Sequence, residues 1–436
     1  MGDLLGLSAF TAYAAAGLGV ARLVAHTVDA PYMDELFHVP QAQHYCRGEF
    51  RAWDPKLTTP PGLYLVSLAL RPLLGCSLDA LRLTNWVLGL GLFWTLYGLV
   101  RQLHGHVPAT QAALAALTLS SFPLAYFFNH LYYTDTASLL SVLLAYWLCQ
   151  KGRHTLAGAL GFASLWMRQT NVVWVALIGC TAVMDWLRTH RGILRPGDAL
   201  IQSLAQLVRW AVRIGANLPV LWVVAPYATV VALFGVFLTV NGGIVLGDKA
   251  HHQAGIHLPL LFYFYAYTLA AAAPTVLSLG AVRPARGLVL GAAACICMAI
   301  GVRRYTIEHP FLLSDNRHYT FYLWKDIFRR YPPARYLAIP LYLYSAVAVQ
   351  RAIQAPALFK LALLLCTAAV LVPSPLLELR YFTVPFFFAR LHMPMSTRAL
   401  LLELAAYTAV NVATMWVFLN KPFTWDSEPG LQRFMW

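Results

Sequence analysis

The chain has 436 residues, 59% of them hydrophobic and only 11% charged, against about 25% charged in ordinary soluble domains. A soluble fold cannot hide that much apolar surface, so lipid must be the solvent for most of the chain. A net charge of +14 would suggest nucleic acid in a soluble protein, but here the bases cluster in short loops between apolar windows, where the positive-inside rule explains them and no nucleic-acid partner is expected.

Apolar windows of roughly 20 residues, the length that crosses the hydrocarbon core, recur from end to end. They predict spans near 5–26, 61–74, 83–103, 110–128, 131–150, 155–187 (one long span or two), 218–240, 258–279, 287–302, 337–353, 357–373 and 399–419. Interrupted stretches such as 371–395 leave room for one or two more, so about 12 to 14 crossings are expected. Backbone polar groups must be satisfied within lipid and no dyad alternation is present, so the expected fold is all-α, a polytopic transmembrane helix bundle. The longest polar stretches are too short for a separate soluble domain. A single membrane domain over 1–436 is therefore expected, with a polar loop at about 27–60.

Loop charges orient the bundle. Residues 188–213 carry five Arg and one Asp, which predicts a cytoplasmic loop. The loop 29–60 sets Asp29, Asp34, Glu35, Glu49 and Asp54 against Arg47, Arg51 and Lys56, a balance that suits the lumenal side. The first span lacks the basic start of a cleavable signal and is expected to remain as an anchor. Seven cysteines, mostly inside spans, suggest neither a disulfide framework nor a metal site. Only Cys46 and Cys76 lie where an oxidising lumen could reach them.

The stretch Pro31-Tyr32-Met33-Asp34-Glu35 opens as a helix start does. On that helix Asp34, His38, Gln41 and Tyr45 form one polar stripe. Asp34 and Glu35 are candidates for a carboxylate at the mouth of the bundle, or simply complement the helix dipole. The following turn, Asp54-Pro55-Lys56-Leu57-Thr58-Thr59-Pro60-Pro61-Gly62, is constrained and leads straight into the next span.

These residues carry a family resemblance. Tyr32-Met33-Asp34-Glu35, Phe37-His38, Pro40-Gln41-Ala42-Gln43, Trp53-Asp54-Pro55 and Pro61-Gly62-Leu63-Tyr64 closely resemble the dolichyl-phosphoglucose-dependent alpha-1,2-glucosyltransferases of the asparagine-linked glycosylation pathway. So do Arg168-Gln169-Thr170-Asn171, Gly247-Asp248-Lys249 with His252, His309-Pro310-Phe311, Asp315-Asn316-Arg317-His318-Tyr319, Arg380-Tyr381-Phe382 and Gln432-Arg433-Phe434-Met435-Trp436. The resemblance runs over essentially the whole chain. It implies a C-type glycosyltransferase of the endoplasmic reticulum membrane, multi-pass, with its site facing the lumen. Similar enzymes move glucose from dolichyl-phosphate glucose to the diglucosylated dolichyl-diphosphate oligosaccharide, adding the terminal glucose.

Such enzymes convert a beta-linked glucosyl phosphate into an alpha linkage, which calls for one base on the attacking hydroxyl and positive charge near the phosphate. Asp34 is the first choice for the base and Glu35 the rival, since adjacent helical residues diverge by about 100°. For donor phosphate or sugar the candidates are Arg317, His318, His309, Asp315, Lys249, His252, Arg168 and Arg380, arginine being suited to bidentate phosphate contact. Ion pairing is the competing account for Arg317 with Asp315 and for Arg380 with Glu378. His38, Gln41, Trp53 and Tyr64 are candidates for the acceptor. A monophosphate donor does not require a metal and acids are sparse around the histidines, so no metal or other cofactor is expected. A transporter of lipid-linked oligosaccharide would share the polar cavity and many helices, but no inverted repeat is visible.

Overall fold

The computed structural model describes residues 2–195, 197–211, 218–249, 253–279, 288–426 and 430–436. The apolar windows become helices: α1 (Gly2–Thr27), α2 (Glu35–Cys46), α3 (Gly62–Leu74), α4 (Leu78–Leu103), α5 (Ala109–Ser120), α6 (Pro123–Phe128) and α7 (Thr134–Gln150). They continue with α8 (His154–Leu165), α9 (Asn171–Arg191), α10 (Leu200–Ala211), α11 (Leu218–Asn241), α12 (Pro259–Ala271), α13 (Ala273–Ser278) and α14 (Leu288–Tyr305). The last third holds α15 (Pro310–Ser314), α16 (Tyr319–Tyr322), a π-helical stretch (Leu323–Arg329), α17 (Ala334–Leu337), α18 (Ile339–Ala352), α19 (Ala357–Leu371), α20 (Thr383–Leu391) and α21 (Thr397–Asn420). Among the described residues, five helices are long and apolar enough to cross a membrane, with windows at Gly6–Thr27, Leu78–Leu103, Asn171–Arg191, Pro219–Asn241 and Thr397–Asn420.

Local chemistry sets several ends. The Ser77 Oγ accepts from the Ala80 N–H at 3.3 Å to start α4, and Ser396 caps α21 through the Ala399 N–H. Gly192, at φ +64°, closes α9 in the left-handed conformation that glycine adopts without a Cβ penalty. The apolar window 155–187 is two helices, α8 and α9, parted at Arg168. The basic loop 188–213 contains α10, an amphipathic helix with Ile201 and Val208 exposed.

The chain divides into two compact units: residues 1–120, 128–252 and 355–366 form one, and 121–127, 253–354 and 367–436 the other. In the first, α7 packs against α4, α8 and α9, α11 against α8 and α9, and α1 against α4 and α5. Close approach needs small residues. A Cβ on Gly17 would come within 2.0 Å of the Trp86 ring, and one on Gly98 within 2.4 Å of Trp147.

In the second unit α12 and α14 pack on α18, and α13 on α21. Its core encloses an ion pair. The Arg390 Nη2 lies 2.9 Å from the Glu403 carboxylate with both side chains fully buried, and Thr275 bridges them, accepting from Arg390 at 3.1 Å and donating to Glu403 at 2.5 Å. The all-α expectation misses one small feature, a two-stranded sheet of β1 (Phe423–Thr424) and β2 (Leu431–Gln432), antiparallel with Phe423 opposite Gln432. Beyond it Met435 bridges in parallel to His318. Pairing satisfies backbone groups that the tail would otherwise leave unmet.

Removing one partner of a buried ion pair leaves an uncompensated charge at a cost of about 3–5 kcal/mol, whereas replacing both with apolar residues is far milder. Thermal unfolding in detergent should therefore show Arg390→Met lowering stability more than the double variant Arg390→Met/Glu403→Leu.

Candidate active site

In the first unit the turn from Tyr32 to Glu35 is built around a carboxylate taken fully out of solvent. Glu35 is 0% exposed and receives four donors: Arg82 Nε at 2.9 Å and the Tyr132 N–H at 2.7 Å on Oε1, and Arg82 Nη2 at 2.6 Å and the Tyr32 N–H at 3.0 Å on Oε2. Arg82 also donates to the Val28 carbonyl at 2.5 Å and the Ala30 carbonyl at 3.1 Å. One bidentate pair thus ties the end of α1, the turn, α4 and the segment before α7.

Asp34 stands beside this anchor, half-buried. It occupies the N-cap of α2, yet its carboxylate makes no capping bond. Its N–H donates to the Tyr133 hydroxyl at 3.1 Å, and Asn85 fixes the Tyr133 and Leu131 carbonyls at 2.7 Å each. Met33, just before it, has φ +56°, a conformation costly for a residue with a Cβ and retained where surrounding contacts over-determine it.

The four acceptor candidates lie together behind this turn. The His38 Nδ1 is 2.7 Å from the Tyr64 hydroxyl, and Trp53 packs 6.3 Å from the Tyr64 ring. Gln41 donates to the Ala52 carbonyl at 2.6 Å and accepts from the Asp54 N–H at 2.9 Å. His38, Gln41 and Tyr64 are buried, so these contacts clasp the 47–60 loop to α2. A disulfide, Cys46–Cys76, fastens the same loop; the cysteine count concealed it because five other cysteines stay unbonded. At the exposed tip Glu49 is held down at about 2 by its bonds from Arg47 and His44.

Arg168, between α8 and α9, pairs with Asp135 at 3.0 Å and donates to Thr134 at 3.2 Å. Lys249 closes the end of α11 on the Asn241 carbonyl at 2.5 Å. The adjacent Gly247 passes so close to the Pro55 carbonyl that a Cβ would meet it at 2.1 Å. His252 lies outside the described residues.

In the second unit the arginine candidates carry carboxylates. Arg317 forms a bidentate pair with Asp315 at 2.8 Å through Nε and through Nη2, and donates to Gln432 at 2.9 Å. Burial raises the Asp315 pKa, but the Arg317 bonds and the nearby His318 and Arg317 charges outweigh it, so the carboxyl sits below its ordinary value. The His318 Nδ1 meets the Trp436 carbonyl at 2.8 Å, and His309 accepts from the Phe311 N–H at the start of α15. Arg380 donates to Glu378 at 2.7 Å. Arg335 differs: Glu308 takes only its Nη2, while its Nε is buried without a hydrogen-bond partner among the described residues. The Trp324 Nε1 and the Tyr263 hydroxyl are in the same state, with the guanidinium 4.8 Å from the Trp324 ring centroid.

Sequence reading passed over Arg82, Asn85, Tyr132, Tyr133, Asp135 and Arg335. A signal existed for the first two, since polar residues three apart at the head of an apolar helix are functional candidates by default. His257 is fully buried, its Nδ1 3.1 Å from the Pro375 carbonyl.

Two predictions follow from these burials. Glu35→Ala, which strands Arg82, should lower stability by about 3–5 kcal/mol, while Asp34→Asn should stay within about 0.5 kcal/mol of wild type; thermal unfolding of both separates the anchoring carboxylate from its neighbour. Burial brings the His257 pKa down to about 4, against the raising effect of the Pro375 carbonyl. The unfolded chain then binds the extra proton first, so stability should fall as pH drops from about 6.5 toward 4. His257→Asn should flatten that part of the pH profile.

The DIE2/ALG10 family model matches residues 28–391. A mouse protein named Dol-P-Glc:Glc(2)Man(9)GlcNAc(2)-PP-Dol alpha-1,2-glucosyltransferase is 38% identical, covering 93% of each chain. Proteins of the same name from Drosophila melanogaster, 40% identical over 93% of each chain, and Arabidopsis thaliana, 34% identical over 95% of this chain and 96% of its own, match as fully. The chain belongs to the DIE2/ALG10 family, whose members carry that name from plants to mammals.

Proposed function

We propose that this enzyme transfers glucose from dolichyl-phosphate glucose to the diglucosylated dolichyl-diphosphate oligosaccharide, forming the terminal alpha-1,2 linkage with inversion. The names of its relatives support the two substrates. The observation that carries the chemistry is the place of Asp34: a carboxylate at the head of α2, in a strained turn locked by the Glu35–Arg82 pair. Such rigidity is what a base needs to hold its geometry.

In the reaction the acceptor hydroxyl attacks the anomeric carbon while Asp34 takes its proton. The bond from that carbon to the phosphate oxygen breaks, and its electron pair leaves with the phosphate. Glu35 positions the turn, already holding a full set of donors. The departing phosphate calls for positive charge, and Arg168, Arg317, Arg335 and Arg380 each hold a carboxylate. In the second unit the Arg335 Nε, the Trp324 indole and the Tyr263 hydroxyl are donors without a hydrogen-bond partner among the described residues. The reaction proceeds without metal, since a monophosphate leaving group needs charge stabilisation rather than a divalent ion.

The reaction takes place on the lumenal face of the endoplasmic reticulum, in a bundle of 12 to 14 crossings to which the shorter apolar helices contribute. The Cys46–Cys76 bond supports that side for the Asp34 loop, because disulfides persist in oxidising compartments. The five arginines of the 188–213 loop suit the cytoplasm.

Purified protein with chelator present should transfer glucose from dolichyl-phosphate glucose to the diglucosylated lipid-linked acceptor, giving an alpha-linked product. Asp34→Asn should lower kcat by about 10²–10⁴ with folding intact. Full activity in Asp34→Asn, or none in wild type, would return the transporter reading.

A further inference from the structure

The second unit holds an open cleft of about 710 Å³ whose walls come from Phe311–Arg317, Phe321 and Thr424–Asp426. The C-terminal tail makes one wall. The β1–β2 pairing and the Met435–His318 bridge staple it to the 315–319 loop, with the Met435 N–H donating to the Arg317 carbonyl at 2.9 Å. Trp425 is fixed on two sides: its Nε1 donates to Asn316 Oδ1 at 2.8 Å, and Arg317 stacks on its ring at 4.5 Å.

The charge of this cleft argues against a phosphate. Among the described residues Arg317 is its one basic lining residue and is neutralised by Asp315, while Asp426 adds a second carboxylate. An anion would meet net negative charge. A neutral polyhydroxyl chain meets what it needs: acceptors on Asp315, Asn316 and Asp426 for its hydroxyls, and a rigid indole with Phe311 for the apolar faces of its rings. The volume lies in the range of small-molecule sites and holds more than one hexose.

We infer that this cleft is a glycan subsite that grips mannose or glucose residues of the acceptor oligosaccharide other than the one that carries the reacting hydroxyl. The inference rests on the glucosyltransferase reading for the origin of the glycan, and Trp425 and Asp426 are its recognition residues. It accounts for the tail's last residues, which would otherwise have no role in a membrane enzyme beyond closing its final helix.

The test pairs kinetics with direct binding, using the full-length protein. Trp425→Ala and Asp426→Asn, the second on an exposed side chain and so safe for folding, should each raise the acceptor KM by about tenfold, the effect of losing roughly one strong contact. kcat and the donor KM should stay within about twofold of wild type. Saturation-transfer NMR should detect a lipid-free neutral high-mannose oligosaccharide on wild type and lose the signal in both variants. An active wild type whose variants keep their acceptor KM overturns the subsite and leaves the enzyme assignment standing. A rise in donor KM instead, or displacement of the glycan by inorganic phosphate, also overturns it. If wild type transfers no glucose the enzyme reading fails, and the NMR still decides whether the cleft holds a glycan.

Discussion

A guanidinium and a carboxylate removed from water together hold the part of this protein that matters most. Arg82 and Glu35, at 5% and 0% side-chain exposure and 2.6 Å apart, are tolerable inside the fold only because every oxygen of the carboxylate meets two donors and the guanidinium also reaches two carbonyls. That requirement dictates the neighbourhood. The chain must leave α1 so that Val28 and Ala30 present their carbonyls, turn sharply at Met33, and bring the Tyr132 N–H alongside. Asp34 is placed as a by-product of satisfying Glu35. Of the two adjacent carboxylates, Glu35 is thereby the structural anchor.

The same accounting of partners sorts the cations. An arginine already holding a carboxylate has little electrostatic attraction left for a phosphate, which lessens the claim of Arg317, Arg168 and Arg380. Their pairs organise loops instead: Arg317 draws Asp315, Gln432 and Trp425 into one cluster and so builds the cleft at the tail. Arg335 likewise holds Glu308, and its buried Nε, like the neighbouring Trp324 indole and Tyr263 hydroxyl, has no hydrogen-bond partner among the described residues.

The acceptor-side motif shows how a short polar run can be conspicuous for reasons other than contact with substrate. His38, Gln41, Trp53 and Tyr64 stood out in the sequence as polar or aromatic residues near a carboxylate. In the fold they bond one another and the backbone of the 47–60 loop. Together with the Cys46–Cys76 bond they make the lumen-suited loop a rigid platform. Their spacing on α2 was legible; the identity of their partners was not, because those partners come from beyond a turn whose path the local sequence does not specify.

The sequence by itself determined that the chain is helical and lipid-embedded, where several of the apolar helices begin and end, and that Asp34 lies at a helix start beside a constrained loop. These follow from hydropathy over windows of roughly 20 residues and from caps and turns, all of which are local. Only the tertiary structure decided which charges are paired and which are available. Glu35 meets Arg82 across 47 residues and Tyr132 across 97, and Arg317 meets Gln432 across 115. No local pattern encodes such distances. They are set by how helices pack, and in a low-dielectric interior that packing fixes whether a charged side chain is an anchor or an active group.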